Sequence, residues 1–579
     1  MCRLEGGTLL AFVRSMLRRS PYCPHYPPRM RGHGIAFAIA AVQSLHVAAA
    51  PDVQPANAVG ALGLYPATNF RLTTGACGDC SVIRQARWYF RNEGIAVPLP
   101  GLPVSAFDKG IRVFDDVDRW ARARDEGAAI DYPGLVWTGA PDSVRGARLA
   151  EDGKLLVTSN GSIAFRPVEK IPLNRSYYDA SSIEFFKQRP LTVRGFAGDS
   201  FVGRAIWPED FRLGGRAPAM QTLPAGTPAS EGMRSLMRAE PQGGARSPYA
   251  TSTLWQRTGA PSEWAGRPVL ALMVNGAQGD DDEALGGHFA IVTGRVQPDG
   301  RISEWLVNNF YSLDVESEKG ILAAPVPLDN YLADLNSGQG WYRPSYMLVA
   351  ILRDERGPVL VQSALNRVYN QFWRHQLVYY HPAENCASIS IDTLRALGWD
   401  VPHRGPSNRW LAWLAFPFVA IKDLSFVKAK AAFDYLRTDQ TRLLPAAALE
   451  EAFGSLLTLG RGRGSKGDGA LGQMLAQDLD ALAFVRFPQF PSSRKFGDAP
   501  AVTVFEYRTR VPDPTHAQIV PVPPRPFPDE LRDPDLLPPP RHFSDYAMLV
   551  WALLTVVGLP LLGWRQWRRR RARRDAAAP

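Results

Sequence analysis

The chain is poor in three things, and each shortage excludes a class. Cysteine is scarce, five in 579 residues, so a disulfide-dense scaffold is excluded. Metal-ligand spacing is missing: the acid run Asp280-Asp281-Asp282-Glu283 lacks the alternating pattern of a calcium loop, and no metal is assigned. Net charge is missing from the body. The total of +10 is carried as +5 on residues 1–50 and +6 on residues 565–579, so residues 51–564 stand at −1. A basic surface for a phosphate backbone belongs on the folded body, so no nucleic-acid partner is expected. There is no internal repeat. At 45% hydrophobic and 21% charged the chain is not disordered as a whole, and its length allows more than one core.

What is present at the two ends reads as address. Met30-Arg31, an apolar run from Gly34 to Leu45 and Ala48-Ala49-Ala50 follow the order of a secretory signal, giving a signal peptide over residues 1–50. Cleavage after Ala58 is the competing choice, and Met30 is a candidate true start behind an over-extended leader. At the other end, Tyr546 to Trp564 is a stretch of 19 uncharged residues followed by seven arginines from Arg565 to Arg574. That pattern predicts a transmembrane helix over residues 546–564 and a cytosolic basic tail over 565–579. Residues 511–541 contain 11 prolines, which predicts an extended stalk over 511–545 of roughly 90 Å at about 3.1 Å per residue. The expected location is a bacterial inner membrane, single-pass, with the body in the periplasm; the bacterial assignment leans on the excess of Arg over Lys.

Within the body, residues 51–235 are broken by Gly and Pro and predict a β-rich region, with a hairpin at Asn160-Gly161. Residues 236–407 predict strands at Pro268–Asn275, His288–Val296, Ile302–Leu313 and Tyr346–Leu352, then helices at Ser363–Trp373 and Cys386–Leu397. Residues 408–510 read as a helical extension with a last strand at Val502–Thr509. Trp410 to Ile421 is a twelve-residue apolar run, too short to span a bilayer; it reads as a core helix ended by Pro417, with an interfacial or acyl-binding segment as the alternative. Gly462, Gly464 and Gly467 match a dinucleotide-loop spacing, but no strand precedes them and no acid is placed for a ribose, so no cofactor is expected.

Chemistry concentrates on cysteine. Without the signal, three cysteines remain: Cys77 and Cys80, close enough in sequence to form a disulfide in an oxidising compartment, and Cys386. Cys386 follows Asn385 and begins an amphipathic pattern, which puts it at a helix N-terminus, where orphan N–H groups and the dipole lower a thiol pKa. His288, after Gly286-Gly287 and at the start of a strand, is the candidate base. Asn309, beside Asn308 on the next strand, is the candidate orienting amide. Taken singly, His288 reads as a strand-edge histidine and Asn308-Asn309 as a turn.

At these residues, over about 265–400, the sequence resembles the papain-like clan. The likeness is to its circularly permuted branch, which includes lecithin retinol acyltransferase relatives, and more closely to the bacterial lipoprotein N-acyltransferase-type periplasmic domain. The resemblance implies an α+β papain-like fold, with Cys386 as nucleophile, His288 as base and Asn309 as orienter. Gly75-Ala76-Cys77-Gly78-Asp79-Cys80-Ser81 resembles the unpermuted papain motif and makes Cys80 the rival nucleophile, although Thr74 and Ser81 depart from it. The expectation is therefore an exported, membrane-anchored cysteine hydrolase or acyltransferase. It would act on an amide or ester of cell-wall peptide or of a lipid acyl group. The alternative is a non-enzymatic envelope-binding protein on a similar shell.

Overall fold

The computed structural model describes residues 53–58, 60–169, 178–223, 226–237, 247–276, 287–313, 321–464, 467–492, 527–534 and 558–575. They divide into two compact units, one made of the described parts of 53–405 and 439–534, the other of 406–438 and 558–575.

In the larger unit the N-terminal strands come first: β1 (Val53–Pro55), β2 (Phe70–Thr74), β3 (Gly94–Pro98), β4 (Val136–Gly139), β5 (Asp142–Leu149), β6 (Leu155–Thr158), β7 (Gly161–Pro167), β8 (Leu191–Phe196) and β9 (Phe201–Pro208). β2, β3 and β4 form a small sheet, and a second sheet runs β1-β5-β8-β9-β7-β6. An additional β5–β6 pairing closes five of its strands into a barrel. The β6–β7 turn is the expected hairpin, with Thr158 opposite Gly161 and therefore a two-residue loop.

The site is carried by a further, seven-stranded sheet. Its strands are β10 (Ala250–Gln256), β11 (Pro268–Asn275), β12 (His288–Arg295), β13 (Leu306–Asn309), β14 (Ala324–Pro327), β15 (Ser345–Leu352) and β16 (Leu479–Phe487). The order is β10-β16-β15-β11-β12-β13-β14, antiparallel throughout. β11 and β15 are buried at every position. Successive side chains point to opposite faces, so both faces of the sheet are covered there, and the sequences run apolar instead of alternating. The helices of this unit include α1 (Val113–Ala123), α2 (Arg356–Phe372), α3 (Cys386–Ala396), and, after the smaller unit's α4 (Arg409–Asp423) and α5 (Phe426–Arg437), α6 (Pro445–Gly460) and α7 (Ala470–Asp478). α2 and α6 pack on β11 and β12, and α3 packs on β12. Val193 and Phe201 of the barrel share one core cluster with Val269, Ile291 and Val349 of the sheet.

In the smaller unit, α4 (Arg409–Asp423) and α5 (Phe426–Arg437) pack together. Asn408 and Ser425 cap them, and Leu424 turns the chain between them with φ of 47°. Pro417 lies inside α4 and does not end it. Ala412, Ala415, Phe416 and Val419 are buried, while Trp410 is 84% exposed and Leu414 and Ile421 are also exposed. The expected core helix is therefore buried along one side only.

The expected fold, a papain-like α+β domain with a C-terminal transmembrane helix, is corrected on two counts. The fold is mixed α/β, a five-strand barrel and a seven-stranded antiparallel sheet sharing one core. The sheet draws its β16 from Leu479–Phe487, beyond the segment expected to fold as a papain-like domain, because short motifs around a cysteine and a histidine specify a local site and not the sheet around it. Among the described residues no helix is long and apolar enough to cross a membrane. The C-terminal helix α8 (Leu559–Asp575) has only a short apolar start before Arg565, and its remainder is dominated by arginine, which hydrocarbon does not accept. Residues 546–557, like the signal segment 1–50, most of the 511–545 stalk, the Val502–Thr509 strand and the Asp280–Glu283 acid run, lie outside the described residues.

Candidate active site

Three strands end in line. His288, first in β12, stands opposite Asn275, last in β11, which stands opposite Ser345, first in β15. Gly287 enters β12 at φ +77°, and a Cβ there would meet the Asn275 carbonyl oxygen at 2.5 Å, so this approach requires glycine. The Tyr331 hydroxyl donates to Asn275 Oδ1, and Asn275 Nδ2 donates to Ser345 Oγ at 2.7 Å. The result is a buried polar floor under the strand ends.

Asn309 closes β13 beside β12. Its Nδ2 donates to the Leu322 carbonyl at 3.0 Å, which fixes the amide and turns Oδ1 toward His288. His288 Nε2 lies 2.7 Å from that oxygen. Because Oδ1 can only accept, Nε2 carries the proton and Nδ1 is left as the basic nitrogen. Burial pushes the His288 pKa down to about 3; the positive charge of Arg343 pushes the same way, and the Asn309 hydrogen bond opposes both. The ambiguity between Asn308 and Asn309 is settled by strand alternation. Asn308 points the other way, exchanging hydrogen bonds of 3.0 Å with Gln362 of α2.

Cys386 is the first residue of α3. Asn385 caps the helix, its Oδ1 accepting from Ala387 N at 2.9 Å and Ser388 N at 3.2 Å. Asn385 Nδ2 donates to the carbonyls of His381 and Leu443, each at 3.1 Å, so this amide is occupied in holding the loop and is no oxyanion donor. Arg442 adds a brace, pairing with Asp392 at 2.6 Å and Glu384 at 2.9 Å. Cys386 is 4% exposed. Its sulfur is met by the Phe289 N–H, the Tyr379 hydroxyl and the Ala387 N–H. Phe289 follows His288 on β12, so α3 delivers the thiol to the strand that carries the histidine. The expected lowering of the thiol pKa at the helix start is overturned: burial pushes it up, and these hydrogen bonds and the Arg343 charge reverse only part of that.

The rival nucleophile is eliminated, because Cys80 is joined to Cys77 in a disulfide; among the described residues Cys386 is the free cysteine. No group of three or more His, Cys, Asp or Glu side chains among the described residues is placed to hold a metal. Sequence reasoning missed Tyr331, Tyr379, Asn275 and Arg343. Arg343 stands two residues before β15, and its Nη1 donates to the Gly276 carbonyl at 3.3 Å. A lone arginine ahead of a strand carries no signal of this placement.

Comparison with known proteins returned no matching family model, no matching curated protein and no matching solved structure.

Proposed function

We propose that this chain is a cysteine-dependent acyl-transfer enzyme, a hydrolase or acyltransferase of an amide or ester. Cys386 would be the nucleophile, His288 the general base and Asn309 the residue that orients it. One observation carries the reading: α3 sets a free thiol at a capped helix start against β12, whose histidine is held in a single tautomer by an amide that is itself fixed. The resting pair is neutral thiol and neutral imidazole. His288 Nδ1 takes the thiol proton as sulfur attacks the carbonyl, then returns it to the leaving amine or alcohol. The Cys386 N–H, which in the resting site donates to the Tyr379 hydroxyl at 3.4 Å, would exchange that long bond for the developing oxyanion at the helix start. Water or an acceptor amine then releases the acyl group from sulfur.

The Cys77–Cys80 disulfide supports an oxidising compartment, and with it action in a bacterial envelope on cell-wall peptide or a lipid acyl group. The test is turnover of a panel of activated esters, thioesters and peptide amides by wild type, Cys386→Ala and His288→Gln, with melting curves to show that each variant folds. Acyl-enzyme at Cys386 in the intact mass is the expected result. Turnover that survives in Cys386→Ala would overturn the assignment, and a folded wild type inert to every substrate would favour a binding protein.

A further inference from the structure

Four arginines are buried among the described residues: Arg194, Arg204, Arg343 and Arg367. Three are neutralised where they lie. Arg194 pairs with Asp329 at 2.6 Å, Arg204 with Asp334 and Glu93 at 2.7 Å each, and Arg367 with Asp116 at 2.6 Å. Arg343, 7% exposed, has no ion pair among the described residues, and its Nε has no hydrogen-bond partner. A guanidinium shut away from water without a counter-charge is strongly disfavoured. This one is set at the ends of the same three strands that carry His288. Ser345, two residues on, is in register with Asn275, and Asn275 with His288, so the Ser345 and His288 backbones lie about 10 Å apart across two strand spacings.

We propose that Arg343 is the anion-binding residue of the Cys386 site, and that the site takes a substrate bearing a free carboxylate within a few bonds of its reactive carbonyl. This rests on Cys386 being the nucleophile. A planar two-oxygen anion matches the planar donor fork of a guanidinium, and the Arg343 Nε is the donor still open. The pairing has a second consequence. The charge of Arg343 is one of the two causes that hold His288 unprotonated, so a carboxylate that neutralises it makes the imidazole a stronger base only when substrate is in place. A substrate lacking the anion would find both an unfilled guanidinium and a weak base.

The test uses the full-length protein and alkylating acids paired with their neutral amides, iodoacetate against iodoacetamide and 3-iodopropionate against 3-iodopropionamide. In each, sulfur displaces iodide: a C–S bond forms, the C–I bond breaks with its electron pair leaving on iodide, and the thiol proton passes through His288 to solvent. Rates are read at the Cys386 peptide by mass spectrometry. For one or both pairs, the acid-to-amide rate ratio should fall about 10- to 100-fold in Arg343→Gln, the range expected for a hydrogen bond between charged groups. Arg343→Lys should lie between. An unchanged ratio overturns the proposal, and so does equal slowing of acid and amide, which would place Arg343 on the thiolate instead. Failure of even the amides to label Cys386 in folded wild type would sink the nucleophile reading itself. Should Arg343→Gln not fold, protection of wild type from iodoacetamide decides: propionate should protect and propionamide should not. Protection by inorganic phosphate and not by propionate would overturn the commitment to a carboxylate.

Discussion

His288 Nε2 and Asn309 Oδ1 stand 2.7 Å apart, and the second contact of Asn309, through Nδ2 to the Leu322 carbonyl, makes that short distance chemically one-sided. The amide cannot turn without setting oxygen against oxygen, so the imidazole is held with Nδ1 free. Asn309→Ala removes the acceptor and leaves the Leu322 carbonyl without its donor, a cost of about 1–3 kcal/mol. It should lower kcat far more than it raises KM. Asn309→Asp should instead raise the His288 pKa, since a negative charge beside the ring favours imidazolium. An NMR titration of the His288 ring protons checks this; a titration that does not move upward would show that the pair is not coupled.

The buried histidine also ties stability to pH, and the direction follows from its pKa of about 3 against an ordinary 6.5. Between those values the unfolded chain binds a proton that the folded chain refuses. The contribution of His288 is complete above about 6.5 and is lost as pH falls toward 3, at no more than about 1.4 kcal/mol per pH unit for one proton. Urea unfolding at pH 7 and pH 4.5 should show a smaller loss on acidification in His288→Gln than in wild type. Equal losses would mean that the imidazole is hydrated in the folded protein.

A raised thiol pKa makes a separate kinetic forecast. With Cys386 held mainly as thiol near neutrality, its alkylation by iodoacetamide should keep rising through pH 9 with no plateau below that value. Tyr379→Phe removes one hydrogen bond to the sulfur and should displace the profile further to alkaline pH. A plateau near neutrality would reveal a preformed thiolate.

How far all this was legible depends on whether the signal was local. Pro268–Asn275 is the observed β11, because an unbroken apolar run from Pro268 to Val274, with Gly276 just beyond its polar last residue, is satisfied by a strand covered on both faces. His288 and Cys386 each begin their element where the sequence placed them, since a glycine pair and an Asn cap are local devices. The expected strand Ile302–Leu313 contracted to Leu306–Asn309. Leu479–Phe487 read as helical from its alanines and leucines, and became β16 because β15 and β10 offer it pairing on both edges; tertiary context overrode propensity. The closing β5–β6 pair of the barrel depends on pairings that hydrophobic pattern does not encode. Arg343 is the extreme case: what marks it is that it has no ion pair among the described residues, a property of three dimensions alone.

The neutralised arginines give a stability prediction that contrasts with Arg343. Asp116 receives Arg367 at 2.6 and 2.8 Å and Gln371 at 2.9 Å, tying α1 to α2. Arg367→Met leaves the carboxylate buried and unpaired, and should cost about 3–5 kcal/mol. Removing both charges, as Arg367→Met with Asp116→Leu, should recover most of that loss, because the desolvation of two ions is relieved together. Denaturant midpoints of the two variants test it; a double variant no more stable than the single one would show that the pair contributes more than it costs to bury.

The shape of the Cys386 turn and its charge are separable at Asn385. Asn385 caps α3 through Oδ1 and holds two loop carbonyls through Nδ2. Asn385→Ser keeps a capping oxygen and loses both carbonyl bonds, so the fold should weaken by about 1–3 kcal/mol while the Cys386 pKa stays where it is. Asn385→Asp keeps the cap and adds a charge that favours the helix start, yet it places an anion beside the sulfur and an oxygen where two carbonyls need a donor. Its Cys386 pKa should rise, slowing alkylation at pH 8 below that of the Ser variant even where the two melt together. If the Asp variant reacts as fast as the Ser variant, the thiol does not sense charge at this position, and the electrostatic account of its reactivity fails.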